Sequence, residues 1–165
     1  MRMIIREMAF DDISQVADIE RENSLTPWDE NGLLTYMLRN DALFLVASDE
    51  FEGSETADDE GYIEPHIYGY IGLLMVPWEA DITNITVRKE DRNKGIGTEL
   101  LREMIARCPS HGVSVIHLEV RVSGEAARHL YEKTGFLVDG IRRRYYTSPV
   151  EDAVLMTLRL PGAPD

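Results

Sequence analysis

Residues 87–98 read VRKEDRNKGIGT, a pattern in which a strand ends, a short basic turn follows and a helix begins on two glycines. The first turn of a helix carries N–H groups without intrahelical acceptors and about half a unit of positive charge. Glycine lets a phosphate approach the backbone with no Cβ in the way. Positive charge comes from Arg88, Lys89, Arg92 and Lys94. The stretch therefore predicts an anion-binding turn.

Two common phosphate-binding motifs do not match this turn. A dinucleotide fingerprint needs G-x-G-x-x-G directly after the first strand, whereas Arg92-x-x-Gly95-x-Gly97 follows the fourth predicted strand. A P-loop needs Gly-Lys-Ser/Thr, which the turn lacks. The alternative is a glycine-rich turn that binds no ligand.

Apolar periodicity on either side of the turn predicts the remaining elements. The predicted strands are 2–7, 42–47, 67–75, 81–87, 113–122, 136–146 and 152–160. The predicted helices begin near Phe10, before Leu33, at Gly95 and after Ser123. The order is β-αα-βββ-α-β-α-ββ, so we expect an α/β fold with a mixed central sheet of about seven strands and four helices. Its length suits one domain over residues 1–165.

Composition excludes several classes of function. Thirty acidic residues against seventeen basic ones give a net charge of −13, which disfavours direct nucleic-acid binding. The single cysteine, Cys108, cannot form an internal disulfide or a site with several thiolates. Apolar runs are too short to span a membrane, and charges interrupt the first seven residues, unlike a secretory signal. We expect a cytoplasmic protein with no membrane partner.

Residues 49–66 form an acidic segment with eight Asp or Glu residues and no Lys or Arg. Without it the net charge is −5. The simpler interpretation is a solvated connection between strands. The alternatives are a calcium site or a docking strip for a basic peptide, but the acids lack regular calcium-ligand spacing.

The motif at residues 92–97 resembles the acetyl-CoA pyrophosphate loop of the GCN5-related N-acetyltransferase (GNAT) family, and the element order matches that family over nearly the whole chain. The resemblance extends to LEVRVS at 118–123, LYEKTGF at 130–136 and RRYY at 143–146. These segments, with Trp28 after Pro27, are similar to the branch that acetylates protein N-termini. The similarity is greatest to enzymes for ribosomal-protein alanine and to their archaeal relatives.

The resemblance implies transfer of acetyl from acetyl-CoA, without a metal, to the N-terminal α-amine of a protein such as a ribosomal protein. It implies that Glu119 is the general base and Tyr131 the general acid. Tyr145 and Tyr146 would shape the peptide-binding wall. The residues implied for acetyl-CoA are the pantetheine-binding backbone of Ile85, Thr86 and Val87 and the pyrophosphate-binding turn of Asn93, Lys94, Gly95, Ile96, Gly97 and Thr98.

One departure and several structural alternatives remain. Related sequences commonly have Asn where this chain has Gly124, so one side-chain contact to the cofactor is lost or replaced. Glu119 could instead pair with Arg121 on the polar face of its strand or with a base on a neighbouring strand, and Tyr131 could be a core tyrosine. His117, Cys108 and Trp28 are interpreted as structural residues.

Two other functions remain open. One is acetylation of a small amine such as a polyamine or an aminoglycoside, which an acidic groove beside residues 49–66 would suit. The other is a non-catalytic CoA-binding sensor, against which the presence of both Glu119 and Tyr131 argues.

Overall fold

The helices and strands of the computed structural model, which describes residues 2–24, 26–50 and 64–164, follow the predicted order. The strands are β1 Met3–Glu7, β2 Ala42–Asp49, β3 Ile67–Val76, β4 Trp78–Val87, β5 Val113–Arg121, β6 Leu137–Thr147 and β7 Val150–Arg159. The helices are α1 Ile13–Asn23, α2 Glu30–Met37, α3 Ile96–Arg107 and α4 Glu125–Thr134. The predicted fold class is confirmed. Most of the acidic segment 49–66 lies outside the described residues.

The strands form one sheet in the spatial order β1-β2-β3-β4-β5-β7-β6. Every neighbouring pair is antiparallel except β4 and β5, which are parallel and are joined through α3. A parallel pair needs a crossover connection of this kind, because a tight turn can join only antiparallel strands. The turn at 87–98 therefore lies at the carboxyl end of β4, next to the centre of the sheet.

The main core lies between α3 and one face of the sheet. Leu100, Leu101 and Met104 of α3 are fully buried in a cluster that includes Ile116 and Leu118 of β5. Burial of a leucine or methionine side chain contributes about 1.5–3 kcal/mol each. The alternation along β5 places His117, Glu119 and Arg121 on the opposite face.

The opposite face is covered over only part of its width. Val16 and Ile19 of α1 and Leu33 of α2 pack on Phe44 of β2 and Tyr70 of β3. The same face of β4, β5, β7 and β6 carries polar and charged side chains and forms the open face of the sheet. This division positions the candidate site.

The largest difference between a predicted and an observed strand boundary is at the start of β4. β4 begins at Trp78 rather than at residue 81, because Pro77 and Trp78 form a tight turn that allows Val76 to pair with Glu79. Trp78 has a φ of 56°, and a type II turn with proline at its second residue requires a positive φ at its third residue. The sequence predicts a connection around Pro77 and Trp78 but not this conformation, since tryptophan rarely adopts a positive φ.

Candidate active site

The central strands β4 and β5 separate partway along their length. In the described part of the chain, their pairing runs from Trp78–Val113 to Asp81–His117. β4 continues to Val87, and its residues Ile85, Thr86 and Val87 pair with β3 along their other edge. Backbone groups on an edge that no strand covers are available to bond elsewhere. The three residues predicted to hold pantetheine thus lie on an open strand edge.

The turn after β4 brings the predicted pyrophosphate residues to the start of α3. Asn93 and Gly95 have positive φ values of 64° and 80°, and the helix begins with Ile96 directly after them. Ile96 is buried in the main core, which anchors the helix start, whereas Asn93, Lys94 and Gly95 are exposed. The first-turn N–H groups lack intrahelical acceptors. This geometry can bind an anion through the backbone.

Three basic side chains of the turn contact other residues of the protein. Arg88 donates to the carbonyl of Ile67 at 3.0 Å, and Arg92 donates to the side chain of Asn23. Lys94 lies 3.4 Å from a carboxylate oxygen of Asp91. The predicted positive charge is present, but these three side chains also brace the turn against neighbouring elements.

His66, Glu90 and Asp91 form a cluster whose potential metal-ligand atoms lie within 4.8 Å of one another. His66 Nε2 is 2.8 Å from Oδ2 of the buried Asp91, which is a hydrogen-bond distance. The other Asp91 oxygen faces the Lys94 ammonium. These contacts give the cluster a structural role, because Asp91 connects His66 to Lys94 of the turn.

Glu119 lies half-buried on the open face of β5. Burial raises the pKa of its carboxyl group, and the negative charge of Asp81 raises it further, while Arg142 and His117 act in the opposite direction. A carboxylate with a raised pKa is a stronger proton acceptor. The environment of Glu119 therefore suits a general base.

The alternative that Glu119 pairs with Arg121 is wrong. Arg121 instead forms an ion pair with Glu151 at 3.2 Å, and its guanidinium lies 4.2 Å from the centre of the Tyr146 ring. Glu151 also accepts a hydrogen bond from the backbone N–H of Ser123 at 2.6 Å. Arg121 therefore links the start of the β5–α4 connection to β6 and β7.

Tyr131 of α4 is buried, with 6% of its surface exposed. Its ring packs edge-on against Phe136, with centroids 5.9 Å apart. Burial raises the pKa of its hydroxyl group, and Tyr146 adds to this effect. Tyr131 thus contributes to the core, as the structural alternative expects, and also keeps its proton at neutral pH.

Tyr145 and Tyr146 lie together because β6 bulges. Arg142 pairs with Ala153 and Tyr146 with Glu151, so three β6 residues lie opposite one β7 residue. Arg144 within the bulge has a φ of 52°. Consecutive side chains on a regular strand point to opposite faces, but here the two rings meet edge-to-face with centroids 5.0 Å apart.

The two tyrosines connect the predicted catalytic residues electrostatically. Burial raises the pKa of Tyr146 to about 12, with Tyr145 and Glu119 adding to the effect. Glu119 also raises the pKa of Tyr145, after the larger effect of burial. Tyr146 also raises the pKa of Tyr131, so the tyrosine pair is linked electrostatically to Glu119 and to Tyr131.

Asp81 and Arg142 are the charged side chains that act most strongly on Glu119. Asp81 was not singled out from sequence, although strand alternation was an available signal, because its neighbours Ala80 and Ile82 are buried. Arg142 belongs to the basic run 142–144, for which the sequence leaves two interpretations open, a solvated strand end or a guide for acidic groups of the substrate. Its effect on Glu119 depends on how β6 pairs with β7 and was not predicted.

The start of α4 differs from the prediction. Gly124, not Ser123, occupies the position before the first helical residue, and no side chain caps this helix. A Cβ at Gly124 would lie 3.1 Å from the carbonyl oxygen of Arg121 and 3.2 Å from a methyl group of Val120. The backbone is therefore closely packed where related sequences carry Asn.

The residues interpreted as structural have contacts that fit this interpretation. His117 bonds to Thr157 at 2.9 Å and to Glu79 at 3.3 Å. Trp28 stacks on Tyr36 with centroids 4.3 Å apart. Burial raises the pKa of the Cys108 thiol to about 11, so it is protonated at neutral pH and unsuited to nucleophilic attack.

A buried carboxylate on α1 joins the α1–α2 connection to the sheet. Glu20 accepts hydrogen bonds from the backbone N–H of Trp28 at 3.2 Å and from the side-chain amide of Asn84 at 2.9 Å. The hydroxyl of Tyr70 also donates to it. These bonds hold the connection against β4, immediately before Ile85.

Over residues 2–24, 26–50 and 64–164, the structure contains no helix with the length and apolar character needed to cross a membrane.

Comparisons with known proteins agree with this architecture. The acetyltransferase (GNAT) family model matches residues 10–136. A Bacillus subtilis (strain 168) protein, provisionally named a ribosomal protein bS18-alanine N-acetyltransferase, is 35% identical over 153 residues, covering 92% of each chain. An N-alpha-acetyltransferase of Sulfurisphaera tokodaii is 32% identical over 161 residues, covering 94% of this chain and 92% of that protein.

A solved structure gives the same result. The ribosomal-protein-S18-alanine N-acetyltransferase from Escherichia coli superposes with a TM-score of 0.79 at 28% sequence identity. The match covers 99% of this chain and 97% of that one.

Proposed function

The chain belongs to the GNAT family of acetyltransferases, and on this premise we propose that it acetylates the N-terminal α-amine of a protein with acetyl-CoA as donor. Support comes from two relatives named for N-terminal acetylation. The observation that carries the proposal is the position of Glu119 two residues beyond the last β4–β5 pair, next to the open edge of β4 and near the tyrosine pair of β6.

The residues around the turn fit acetyl-CoA. The open edge of Ile85, Thr86 and Val87 can bond to the amides of pantetheine as an added strand would. The turn from Asn93 to Thr98 offers backbone N–H groups to the pyrophosphate. When bound, acetyl-CoA supplies an acetyl group already activated as a thioester.

Glu119 is the proposed general base. Its raised pKa brings its proton affinity closer to that of an amine, so it can remove a proton from the substrate ammonium, through water where needed. Tyr131 is the proposed general acid. Its hydroxyl group is protonated at neutral pH and so has a proton to donate to the departing sulfur.

The pKa of the amine favours an N-terminal substrate over lysine. An α-amine has a pKa of about 7.7–8.0 and a lysine about 10.4. Deprotonation at pH 7 therefore costs about 1 kcal/mol for the α-amine and about 4.6 kcal/mol for lysine. A single half-buried carboxylate is suited to deprotonating the α-amine, which costs less than deprotonating lysine. Tyr145 and Tyr146 are the proposed wall that orients the first residues of the peptide.

The test is acetyl transfer to a library of peptides that differ in their N-terminal residues, measured by mass spectrometry. Spermidine serves as the competing small-amine substrate. We expect peptide products and at least tenfold slower turnover of spermidine. Efficient turnover of spermidine without peptide products would favour the small-amine alternative, and no thiol release with any amine would favour the sensor.

We expect Gly97→Val to weaken CoA binding by tenfold or more, equivalent to about 1.4 kcal/mol. The valine side chain would stand where the pyrophosphate approaches the backbone. A Cβ at Gly97 would meet Leu130 and Val87 at ordinary contact distances of 3.7 and 3.8 Å, so the fold should be retained. The measurement is titration calorimetry with CoA.

The matched control is Gly140→Val, because a Cβ at Gly140 on β6 meets open space. This variant should bind CoA with wild-type affinity. Unchanged CoA affinity in folded Gly97→Val would remove the turn from the proposed cofactor site.

A further inference from the structure

Two carboxylates flank the point where β4 and β5 separate. Asp81 lies opposite His117 in the last pair of the parallel ladder, and Glu119 follows two residues later on β5. The residues on either side of Asp81 are buried in the main core, as are those on either side of Glu119. Alternation therefore puts both carboxylates on the open face.

The other acidic side chains of the open face have partners. Glu79 contacts His117 at 3.3 Å, Glu151 pairs with Arg121, and Asp139 accepts a hydrogen bond from Thr157. Within the described ranges, no salt bridge involves Asp81 or Glu119. The two carboxylates at the opening are therefore not neutralised by a salt bridge among the described residues, although Arg142 and His117 act on Glu119 electrostatically.

The effect of Asp81 on Glu119 agrees with the placement of both carboxylates on the open face. The charge of Asp81 raises the pKa of Glu119, second only to burial. The remaining groups that act on Glu119 or are affected by it are His117 on β5 and Arg142, Tyr145 and Tyr146 on β6. A cation placed between two carboxylates relieves their repulsion.

We propose that Asp81 and Glu119 together bind the positively charged ammonium group of the substrate, with Asp81 holding the charge and Glu119 accepting the proton. This inference rests on the proposed acetyl transfer. An N–H bond of the ammonium breaks and its proton passes to Glu119. The nitrogen keeps the electron pair, which forms the new N–C bond. As the C–S bond breaks, its electron pair leaves with the sulfur, which takes a proton from Tyr131, and the second proton lost by the nitrogen restores Tyr131. Asp81 is thus a substrate-binding residue that selects amines arriving in their charged form.

The experiment compares the KM for a peptide with a free N-terminus in three variants. Asp81→Asn removes the charge and should raise the KM by tenfold or more, with kcat changed less than threefold. Asp81→Glu keeps the charge and should stay within threefold of the wild-type KM. Glu79→Gln is the matched control, because it removes a charge from the same face of the same strand, and its KM should change less than twofold.

The pH profile provides a second measurement. Neutralising Asp81 removes a negative charge that raises the pKa of Glu119, so this pKa should fall. The acidic limb of kcat/KM should therefore move to lower pH in Asp81→Asn but not in Glu79→Gln. A merely structural role for Asp81 would not produce this shift. CoA affinity should stay at the wild-type value in every variant, which checks the fold.

An unchanged KM in Asp81→Asn, or an equal rise in Glu79→Gln, would overturn the inference. Both results leave the proposed N-terminal acetylation intact if wild-type protein acetylates the peptide. If wild-type protein acetylates only spermidine, the N-terminal proposal fails, and the same variants are compared with spermidine. If neither amine is acetylated, both proposals are overturned.

Discussion

Glu119→Gln should lower the acetylation rate by about 100-fold or more at pH 7, the usual scale for loss of a general base. Glutamine keeps the size of the side chain but cannot accept the ammonium proton. Part of the rate should return above about pH 8, because an α-amine with a pKa of about 7.7–8.0 is then mostly neutral without help. The measurement is the initial rate of thiol release between pH 6 and 9.

The matched control for this substitution is Glu79→Gln, which removes a carboxylate from the neighbouring strand on the same face. It should keep at least a third of the wild-type rate. A wild-type rate in folded Glu119→Gln would remove Glu119 from the proposed mechanism and leave it as a structural residue of β5.

Tyr131→Phe is expected to have the second large effect, again about 100-fold. Phenylalanine preserves the packing against Phe136 but removes the proton donor. High pH should not restore the rate, because the missing step is protonation of the departing sulfur rather than deprotonation of the amine. The contrast between the two pH profiles therefore distinguishes the proposed base from the proposed acid.

Tyr36→Phe is the control for Tyr131→Phe. Tyr36 stacks on Trp28 through its ring, which phenylalanine retains, so its rate should stay within threefold of the wild type. If Tyr131→Phe retains the wild-type rate and thermal stability, the hydroxyl of Tyr131 has no catalytic part.

The order of elements was predictable because hydrophobic periodicity is a local property. β2 is apolar on both faces, and the structure buries Leu45 against α3 and Val46 against α1 and α2. β5 alternates from Ile116 onward, although the consecutive residues Val115 and Ile116 are both buried, and this alternation correctly placed Glu119 on a polar face. The glycines and positive charges at 92–97 likewise marked the turn before α3.

The site geometry was not predictable because it depends on pairing between distant segments. The parallel register of β4 and β5, which ends at Asp81, determines where the strands separate. The bulge at Arg144 brings Tyr145 and Tyr146 together, whereas regular alternation would separate them. Sequence alternation also cannot show that Arg121 forms an ion pair with Glu151. Nor can it show that Asp81 and Arg142 are the charged side chains with the largest effects on the pKa of Glu119.

Acetylation of a chain terminus, rather than of a lysine side chain, is tested with one peptide that begins with a free alanine and contains an internal lysine. The acetylated position is mapped by tandem mass spectrometry. A second peptide of the same sequence has a blocked N-terminus. We expect acetyl on the α-amine and at least tenfold slower reaction of the blocked peptide. Efficient acetylation of lysine in the blocked peptide would contradict this expectation.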